Sequence, residues 1–277
     1  MAKILFDITA AHEPADWQQS QVLVEVSGQV FSYAAVTADK RLLQLRTYEL
    51  ETALPRDLAP EVSSILAADE YLQNTAAAFT VVYNFPESQL VPQEYFTEAI
   101  GHDFMSLFHG DLHKGIVLTE KVAGSTQYNV FRIPAEVHHV LATHFVQGKH
   151  WHYYSLWLQH CANTEQQDSM AVIFYPKRML VTVMKNQQLL LLQSFNYEAA
   201  EDVGYHLLNI CGQLGLSPQD IPLMLSGMID HGSALHTEIF KYFGQVNLDS
   251  HLPAQPALQE YPGHFFSPLM KLATCVS

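Results

Sequence analysis

Two turns in the sequence contain residue types that can bind phosphate. The first is Glu25-Val26-Ser27-Gly28-Gln29, in which a glycine follows a strand pattern and an acid lies three residues before it. Glycine accepts the positive φ of hairpin turns, backbone N–H groups in such turns face anions, and a nearby carboxylate can position Mg²⁺. The other position is Ser226-Gly227, at the end of an apolar strand pattern. A glycine there also suits strand-to-helix packing, and we favour that interpretation of Gly227.

A further hairpin turn, Tyr175-Pro176-Lys177-Arg178, which we call the second turn, contains two cations but is badly suited to a phosphate. Pro176 has no N–H group, and its bulky neighbours block close approach of an anion. Lys177 and Arg178 could contact an anion through their side chains. Because lysine and arginine are mostly exposed in proteins, we expect a solvated hairpin tip instead.

The fifteen histidines suggest a metal site as another hypothesis. His109-Gly110-Asp111-Leu112-His113 holds three potential ligands, and further histidines lie at positions 138, 139, 144, 150 and 152. Zinc needs three or four convergent ligands, and no HExxH motif occurs in the sequence. His144 falls on an apolar helical face, where a hydrogen-bonded core histidine is expected. We therefore expect no metal site, and without a Gly-x-Ser-x-Gly motif we expect no Ser-His-Asp hydrolase.

Composition predicts an acidic globular protein. The chain has 277 residues, of which 48% are hydrophobic, and a formal net charge of −14. Lys and Arg do not cluster, so we expect no nucleic-acid surface and no anionic-membrane surface. No run of eighteen uncharged apolar residues occurs, and the three cysteines, Cys161, Cys211 and Cys275, are far apart and odd in number. These features predict a cytoplasmic protein with free thiols.

The elements that must position the turns follow a pattern that occurs twice. After a polar leader that contains residues 13–16, three strands at 22–26, 30–36 and 41–48 precede a helix from Pro60 and a buried strand at 77–83. A helix from Pro92 to Ile100, strands at 115–121 and 128–133, a helix from Pro134, a strand around Trp151 and a helix at 154–161 follow.

The second occurrence begins after the polar segment 163–168, which we interpret as a boundary between lobes. Strands are predicted at 170–175, 179–184 and 188–195, followed by a helix with Asn196 as N-cap and Gly215 as its stop. The fourth strand is predicted at 221–225, and a helix after Gly232-Ser233 and a short strand at 246–248 follow it.

The chain resembles a bacterial family known as domain of unknown function 3822. The resemblance is carried by residues 130–134 (VFRIP), 214–227 (LGLSPQDIPLMLSG) and 264–266 (HFF), and it covers nearly the whole chain. It implies an actin-like ATPase (ribonuclease-H-like) fold and no established activity. We therefore expect an α/β (mixed α+β) protein with a duplicated actin-like fold, in which lobes 1–165 and 166–277 each have a mixed central sheet flanked by helices. The aromatic C-terminal segment, residues 261–270, is expected to pack on the lobes.

Actin-like ATPases cradle phosphates with glycine-rich hairpins in both lobes and hold Mg²⁺ with acids near the turns. In this chain the first turn lacks the Asp-x-Gly pattern, and the second contains Pro176. We expect a pseudo-ATPase without catalytic residues or cofactor, which binds an unidentified protein or itself as a scaffold. The alternative is a divergent ATP-binding protein or ATPase with an altered ATP/Mg site between the lobes, formed by Glu25, Gly28, Gln29, Ser226 and Gly227.

Overall fold

The computed structural model describes residues 2–10, 17, 19–51, 55–73, 77–97, 100–110, 115–162, 168–249 and 260–275. The chain forms two compact units, Met1–Asn163 with Lys271–Ser277, and Thr164–Met270. The boundary expected after residue 165 falls in the segment 163–167, outside the described residues, and stays a prediction. No helix within the described ranges is both long and apolar enough to cross a membrane.

The first unit is built around a six-stranded mixed sheet. Its strands and helices are β1 (Lys3–Thr9), β2 (Gln21–Val26), β3 (Val30–Val36), β4 (Leu42–Glu49), α1 (Pro55–Ala68), β5 (Ala78–Tyr83), β6 (Ser88–Pro92), α2 (Ile100–His109), β7 (Ile116–Lys121), β8 (Gln127–Ile133), α3 (Ala135–His144), β9 (Lys149–His152) and α4 (Tyr153–Ala162). The sheet order is β1-β4-β3-β2-β5-β9, with an antiparallel meander in β2, β3 and β4 and with β5 and β9 added in parallel.

The core of this unit lies between the sheet and the helices α1 and α3. Alternate residues of β2 face it, because side chains of a strand point to opposite faces in turn. The apolar stripes of the two helices complete it at i, i+3 and i+4 spacing. The buried members include Val22, Val24, Val26, Val62, Ile65, Leu66, Val137 and Leu141.

A smaller antiparallel sheet follows β5 in the first unit. Its order is β6-β8-β7, and α2 packs against it through Met105. Val91 and Val130 are buried beside Met105 and form a second, small core. The first unit therefore has two separate hydrophobic cores.

The second unit has a five-stranded mixed sheet in the order β12-β11-β10-β13-β14. Its elements are β10 (Ser169–Tyr175), β11 (Arg178–Lys185), β12 (Gln188–Asn196), α5 (Ala200–Leu214), β13 (Leu223–Gly227), α6 (Ala234–Phe240), β14 (Val246–Leu248) and α7 (Ser267–Cys275), the last of which begins in this unit. The meander of three strands with two parallel strands added beside the first is the same arrangement as in the first unit. The predicted repeat of strand, strand, strand, helix, strand is thus confirmed.

Local signals define the ends of α5. Asp202 Oδ2 accepts hydrogen bonds from the N–H groups of Glu198 and Ala199, at 2.9 and 3.0 Å, and Ala199 is the N-cap. The predicted N-cap, Asn196, is therefore wrong, because β12 continues through that residue. Gly215 ends the helix with φ of 62°, as predicted from the left-handed stop that glycine favours.

One strand was not predicted, and two other predictions about the elements are wrong. The polar leader was assigned no element, but β1 lies in it and pairs with β4; residues 13–16 lie outside the described residues. Residues 92–100 do not form one helix, because Pro92 is extended, with ψ of 141°, at the end of β6. A short 3-10 helix (Gln93–Tyr95) follows, and α2 starts at Ile100. Helix α1 starts at Pro55, so Pro60 lies inside it.

The aromatic segment near the C-terminus packs against its own chain, as expected. Phe266, Leu269 and Met270 are buried. His264 Nε2 donates a hydrogen bond to the carbonyl of Ile229 at 2.7 Å, and Ser267 Oγ donates one to Asp249 Oδ2 at 3.3 Å. These contacts tie the segment to the end of the five-stranded sheet.

Candidate functional site

The first turn connects β2 and β3 and is closed by its own serine. Ser27 Oγ accepts hydrogen bonds from the N–H groups of Gln29 at 3.2 Å and Val30 at 3.0 Å. Two N–H groups that could face an anion are therefore already bound within the turn. Ser27 was not among the predicted site residues, although serine at the start of a turn is known for this kind of bond.

Gly28 is exposed in this turn and does not need to be glycine. Its φ is not in the left-handed region, and a Cβ added to it would have no atom within 4 Å. The expectation that Gly28 provides a positive φ is wrong. The position also offers no close backbone approach that only glycine would permit.

Glu25 lies in β2 just before the turn and is 3% exposed. Asn84, which follows β5, donates a hydrogen bond from Nδ2 to Glu25 Oε1 at 2.6 Å and from its backbone N–H to the carbonyl of Val26. The carboxylate is thus engaged inside the first unit. Asn84 has no distinguishing sequence signal, because only the parallel pairing of β2 with β5 brings it to Glu25.

The half-buried Gln29 completes the first turn. Its carbonyl accepts a hydrogen bond from the N–H of Leu50 at 2.9 Å. Its Oε1 is buried and has no hydrogen-bond partner among the described residues. This atom is an acceptor, whereas a phosphate needs donors. Glu25, Gly28 and Gln29 are therefore close together in the first turn, with Glu25 bound to Asn84 and with the buried Oε1 of Gln29 facing inward.

The second turn joins β10 and β11 through Pro176 and Lys177, whose φ is +56°. Lys177 Nζ is 2.9 Å from Glu198 Oε2, and both side chains are exposed. The expectation that Lys177 is exposed to solvent is therefore confirmed. Arg178 is 5% exposed, so that part of the expectation is wrong. Its Nη1 donates to Ser194 Oγ at 3.1 Å, and its guanidinium carbon lies 4.7 Å from the centre of the Tyr175 ring.

Ser226 and Gly227 end β13, where that strand runs beside β10. Gly227 has φ of +77°, and an added Cβ would lie 2.3 Å from the carbonyl oxygen of Phe174. That oxygen accepts the N–H of Met228 at 2.8 Å, so the close approach is fixed by a backbone hydrogen bond. Gly227 therefore permits close approach of the β10 backbone, which is a contact between two strands and not the strand-to-helix packing that we favoured. Ser226 is buried opposite Ile173.

The histidines do not converge on a common point within the described ranges. No group of three His, Cys, Asp or Glu residues there is placed to hold a metal ion. Asp111 and His113 lie outside those ranges. His144 Nε2 donates to the carbonyl of Leu72 at 3.0 Å, but the residue is exposed, so its expected place in the core is wrong.

Two histidines share one buried tyrosine in the first unit. Tyr83 Oη lies 2.7 Å from His138 Nδ1 and 2.8 Å from His150 Nδ1. Burial raises the pKa of Tyr83, so its hydroxyl stays protonated, donates to one imidazole and accepts from the other. Burial lowers the pKa of both His138 and His150. The trio therefore favours neutral imidazoles.

We expect the trio of Tyr83, His138 and His150 to contribute less stability to the first unit as pH falls below about 6.5, the pKa of unfolded histidine. The pKa values of His138 and His150 are lower in the folded chain, so the unfolded chain binds more protons as pH falls. Acid therefore stabilises the unfolded chain relative to the folded one. The loss is at most about 1.4 kcal/mol per pH unit for each histidine, and it ends below the folded pKa values. Urea unfolding at about pH 7.5 and pH 5.5, followed by tryptophan fluorescence, measures it.

All three tryptophans, Trp17, Trp151 and Trp157, lie in the first unit, so their fluorescence reports this unit. The double variant His138→Gln/His150→Gln should lose part of the pH dependence. His139→Gln, on the exposed face of α3, is the matched control and should keep most of it, because burial lowers the pKa of His138 more than the charge of His139 does. If all three proteins respond equally to pH, the trio does not determine the response.

A buried carboxylate, Asp69, connects the end of α1 to the six-stranded sheet. Tyr33 Oη and Tyr48 Oη donate to Asp69 Oδ2 at 2.9 and 2.7 Å, and Arg46 Nη1 donates to the same atom at 2.9 Å. Burial and Asp69 raise the pKa of Tyr33, and burial raises the pKa of Tyr48 to about 12. Both tyrosines are therefore donors here, and the cluster is structural.

Another acid, the half-buried Glu120, lies on β7. Burial raises its pKa to about 7, although hydrogen bonds from Ser155, the N–H of His152 and Asn129 act in the opposite direction. Asn129 in turn donates from Nδ2 to Ser155 Oγ at 3.1 Å. Glu120 could exchange a proton near neutral pH, and it links β7, β8 and α4. Its position among apolar strand residues gave no sequence signal.

Comparisons with known proteins agree with this architecture. The model of a family described as a protein of unknown function, DUF3822, matches residues 11–246. No curated protein sequence matches the chain. A Bacteroides thetaiotaomicron protein of unknown function with an actin-like ATPase fold is 17% identical, with a TM-score of 0.80, over 96% of this chain and 100% of that one.

Two further solved structures share the fold at lower similarity. One is the PilM-PilN type IV pilus biogenesis complex, with 12% identity and a TM-score of 0.59 over 92% of this chain and 97% of that one. The other is the ethanolamine utilization protein EutJ from Carboxydothermus hydrogenoformans, with 7% identity and a TM-score of 0.53 over 97% and 92%. At these identities the likeness shows an actin-like fold and nothing further.

Proposed function

The chain belongs to the DUF3822 family of proteins of unknown function, and from its actin-like fold and its turns we propose that it is a non-catalytic binding or scaffold protein, a pseudo-ATPase. The observation that carries this proposal is the closed first turn. Ser27 Oγ binds the N–H groups of Gln29 and Val30, which an actin-like ATPase would offer to phosphate. The chain therefore works without a nucleotide cofactor or catalytic residues.

The second turn supports the same proposal. Pro176 has no N–H to offer, and the turn's lysine is paired with Glu198 on the surface. Arg178 is held against Tyr175 and Ser194 rather than directed into solvent. Gly227 is explained by the backbone of Phe174, so it needs no nucleotide to account for it.

A similar fold can serve protein binding. PilM is found in a complex with PilN, and its structure has a TM-score of 0.59 to this chain. This is an analogy at the level of the fold, and it supports a protein partner or self-association. The net charge of −14 agrees with a partner that is neither nucleic acid nor an anionic membrane. We place the protein in the cytoplasm, because three widely separated cysteines, an odd number, are typical of a chain without a disulfide framework.

We expect ATP and ADP to give no binding heat up to millimolar concentration, with or without Mg²⁺, because the turns offer too few free donors. Isothermal titration calorimetry on the full chain measures this directly. A micromolar dissociation constant for either nucleotide would overturn the proposal. It would favour the alternative, a divergent ATP-binding protein or ATPase that uses Glu25, Gly28, Gln29, Ser226 and Gly227.

Two glycine variants would locate a nucleotide if one binds. Gly28→Glu adds a negative side chain at the first turn without a steric conflict, since an added Cβ has open space. Gly212→Glu adds the same charge to the exposed face of α5, where the space is equally open. Loss of binding in Gly28→Glu alone would assign the nucleotide to the first turn. Equal binding in both variants would exclude that turn.

A further inference from the structure

The sheet of the second unit ends in a long strand whose outer edge faces no other described strand. β12 is the first strand of that sheet, is nine residues long and, among the strands that the structure describes, pairs with β11 alone. It contains no charged residue, proline or glycine. Leu190 is 38% exposed, and Gln193 is exposed as well. An edge of this kind presents backbone N–H and C=O groups that a further strand can bind.

The other described edge strands contain features that prevent such pairing. β1 contains Lys3 and Asp7 and has a register shift against β4. β9 and β14 have only four and three residues. In the small sheet, β6 ends in Pro92, and β7 ends in an acid and a lysine. Charges, prolines, bulges and short strands are the means by which natural sheets avoid pairing at their edges, and residues 191–196 of β12 have none of them.

The direction of the backbone groups in β12 follows from one hydrogen bond. The N–H of Tyr197 donates to the carbonyl of Lys177 at 3.0 Å, and hydrogen-bonded and non-hydrogen-bonded pairs alternate along an antiparallel ladder. The residues that bond to β11 are therefore 191, 193 and 195. Those whose N–H and C=O groups point to the outer edge are 192, 194 and 196.

We propose that two copies of this chain associate by antiparallel pairing of β12 with β12, about a two-fold axis at Gln193. A two-fold contact brings the same surface of both copies together, so that surface must complement itself. With Gln193 on the axis, Leu192 of one copy lies opposite Ser194 of the other, and the backbone groups of both residues point to the shared edge. The two five-stranded sheets then become one continuous sheet.

The side chains match in the same register. On each side of the axis, Leu191 of one copy lies opposite Phe195 of the other, and both residues already pack at the margin of their own core. Side chains come closest in such non-hydrogen-bonded pairs. At the axis the two Gln193 amides face each other, and each can donate a hydrogen bond to the oxygen of the other. The central pair is therefore satisfied by two identical residues.

Exposed aromatic surface continues from this edge onto α5. The ring of His206 on that helix lies 5.0 Å from the ring of Phe195, and the ring of Tyr205 lies 5.6 Å from that of His206. Tyr205 is 67% exposed. The helix thus adds apolar area beside the strand, where a second copy would bring its own α5.

Charged residues at the two ends of β12 favour a second copy over an unrelated strand. Lys185 precedes the strand and has no ion pair among the described residues, whereas Glu198 follows it and pairs only with the exposed Lys177. In the proposed register Gln188 of one copy lies opposite Glu198 of the other, and Lys185 is the neighbour of Gln188 on β11. Lys185 and Glu198 of the second copy therefore lie on one face of the sheet, within reach of each other. The antiparallel pair provides this match twice.

The contact is small, because nine residues of strand are about 30 Å long and pair along one edge. Its area falls below the roughly 800 Å² per partner of a standard interface, so the dimer should dissociate on dilution. The proposal rests on the proposed function only in that both have the chain bind itself. Nucleotide calorimetry does not measure self-association, so either proposal can fail while the other stands.

Sedimentation equilibrium on the full chain over a wide concentration range tests the proposal. We expect the mass to rise from 31.2 kDa toward twice that value as concentration increases. Gln193→Glu, at an exposed side chain, puts two carboxylates opposite each other and should weaken association at least several-fold. Gln245→Glu is the matched control, since Gln245 is exposed beside β14 at the opposite edge of the same sheet. It should associate as the unaltered chain does.

A proline variant separates backbone pairing from apolar contact. Leu192→Pro removes an N–H that points to the outer edge and leaves the bonds to β11 intact, so the chain should fold but stay monomeric. Leu192→Ala shortens the same side chain and keeps the N–H, so it should still dimerise. Far-ultraviolet circular dichroism checks the fold of both variants. If Leu192→Pro does not fold, the Gln193 variants decide the question.

A cysteine at the axis identifies the register. Gln193→Cys should form a disulfide between two copies under mild oxidation, because the two sulfur atoms lie opposite each other in a non-hydrogen-bonded pair. Gln245→Cys and the unaltered chain should remain largely monomeric on a non-reducing gel. An unaltered chain that stays at 31.2 kDa at every concentration overturns the proposal. A dimer that Leu192→Pro leaves intact, or equal cross-linking of the two cysteine variants, overturns it as well.

Discussion

Gly227→Ala should destabilise the second unit by about 2–5 kcal/mol, or prevent it from folding. The left-handed φ of +77° costs about 1–2 kcal/mol for alanine. The added Cβ also meets the carbonyl oxygen of Phe174 at 2.3 Å and its nitrogen at 2.9 Å. Because those atoms belong to the backbone of the neighbouring strand, β10 and β13 must separate, which adds about 1–3 kcal/mol. Urea unfolding followed by far-ultraviolet circular dichroism measures the change.

Gly232→Ala provides the control for this prediction. Gly232 has φ of +78°, almost the same backbone conformation, but an added Cβ has no atom within 4 Å. This variant should lose only the conformational part, about 1–2 kcal/mol. The difference between the two variants isolates the contact with Phe174. If both lose the same amount, the approach of the two strands is looser than the structure describes.

Asp69→Ala should destabilise the first unit by about 3–5 kcal/mol, since it leaves Arg46 without its buried partner. Asp69 has a side-chain exposure of 0% and Arg46 of 16%, and after the change Arg46 keeps only its pair with the half-exposed Asp7 at 2.8 Å. The hydroxyl groups of Tyr33 and Tyr48 lose their acceptor at the same time. Urea unfolding followed by tryptophan fluorescence reports this unit, because all three tryptophans lie in it.

Asp39→Ala is the matched change at the surface of the same unit. Asp39 pairs with Arg41 at 2.8 Å, but both side chains are more than 60% exposed, and such pairs contribute little. Its unfolding midpoint should stay close to that of the unaltered chain. Equal midpoints for Asp69→Ala and Asp39→Ala would show that the buried cluster is not a source of stability.

The second unit was predictable from sequence because its signals are local. Residues 188–195 are apolar in a run bounded by turns, Gly215 stops α5, and Ser233 caps α6 through the N–H of His236. The small sheet of the first unit was not predictable in the same way. Ser88–Pro92 forms a strand because it pairs with β8, where Ser88 lies opposite Phe131. The sequence signal at this place was Pro92, which predicted the start of a helix. Pairing between distant segments overrode the local preference.

The candidate site was predictable in residue type but not in contacts. Sequence placed Glu25, Gly28 and Gln29 in one turn, and the structure confirms that they are neighbours. It could not show that Ser27 closes the turn or that Asn84 binds Glu25, because the second contact joins residues 59 positions apart. Gly227 was expected to pack its strand against a helix, whereas the structure places it where two strand backbones approach closely, which a glycine in a strand often permits.

The two sheets differ in how soon the growing chain can complete them during synthesis. All five strands of the second unit lie between Ser169 and Leu248 with no further sheet among them, whereas β9 follows β5 only after the three-stranded sheet and two helices. The edge of β5 therefore stays unpaired from the synthesis of Tyr83 until the synthesis of Lys149, which takes roughly 3–13 s at about 5–20 residues per second. Thr80-Val81-Val82-Tyr83 is an uncharged, β-branched and aromatic segment of the kind that pairs with other chains when its edge is open. The nascent chain is therefore most exposed to aggregation in this interval, and slower elongation would prolong the risk rather than relieve it.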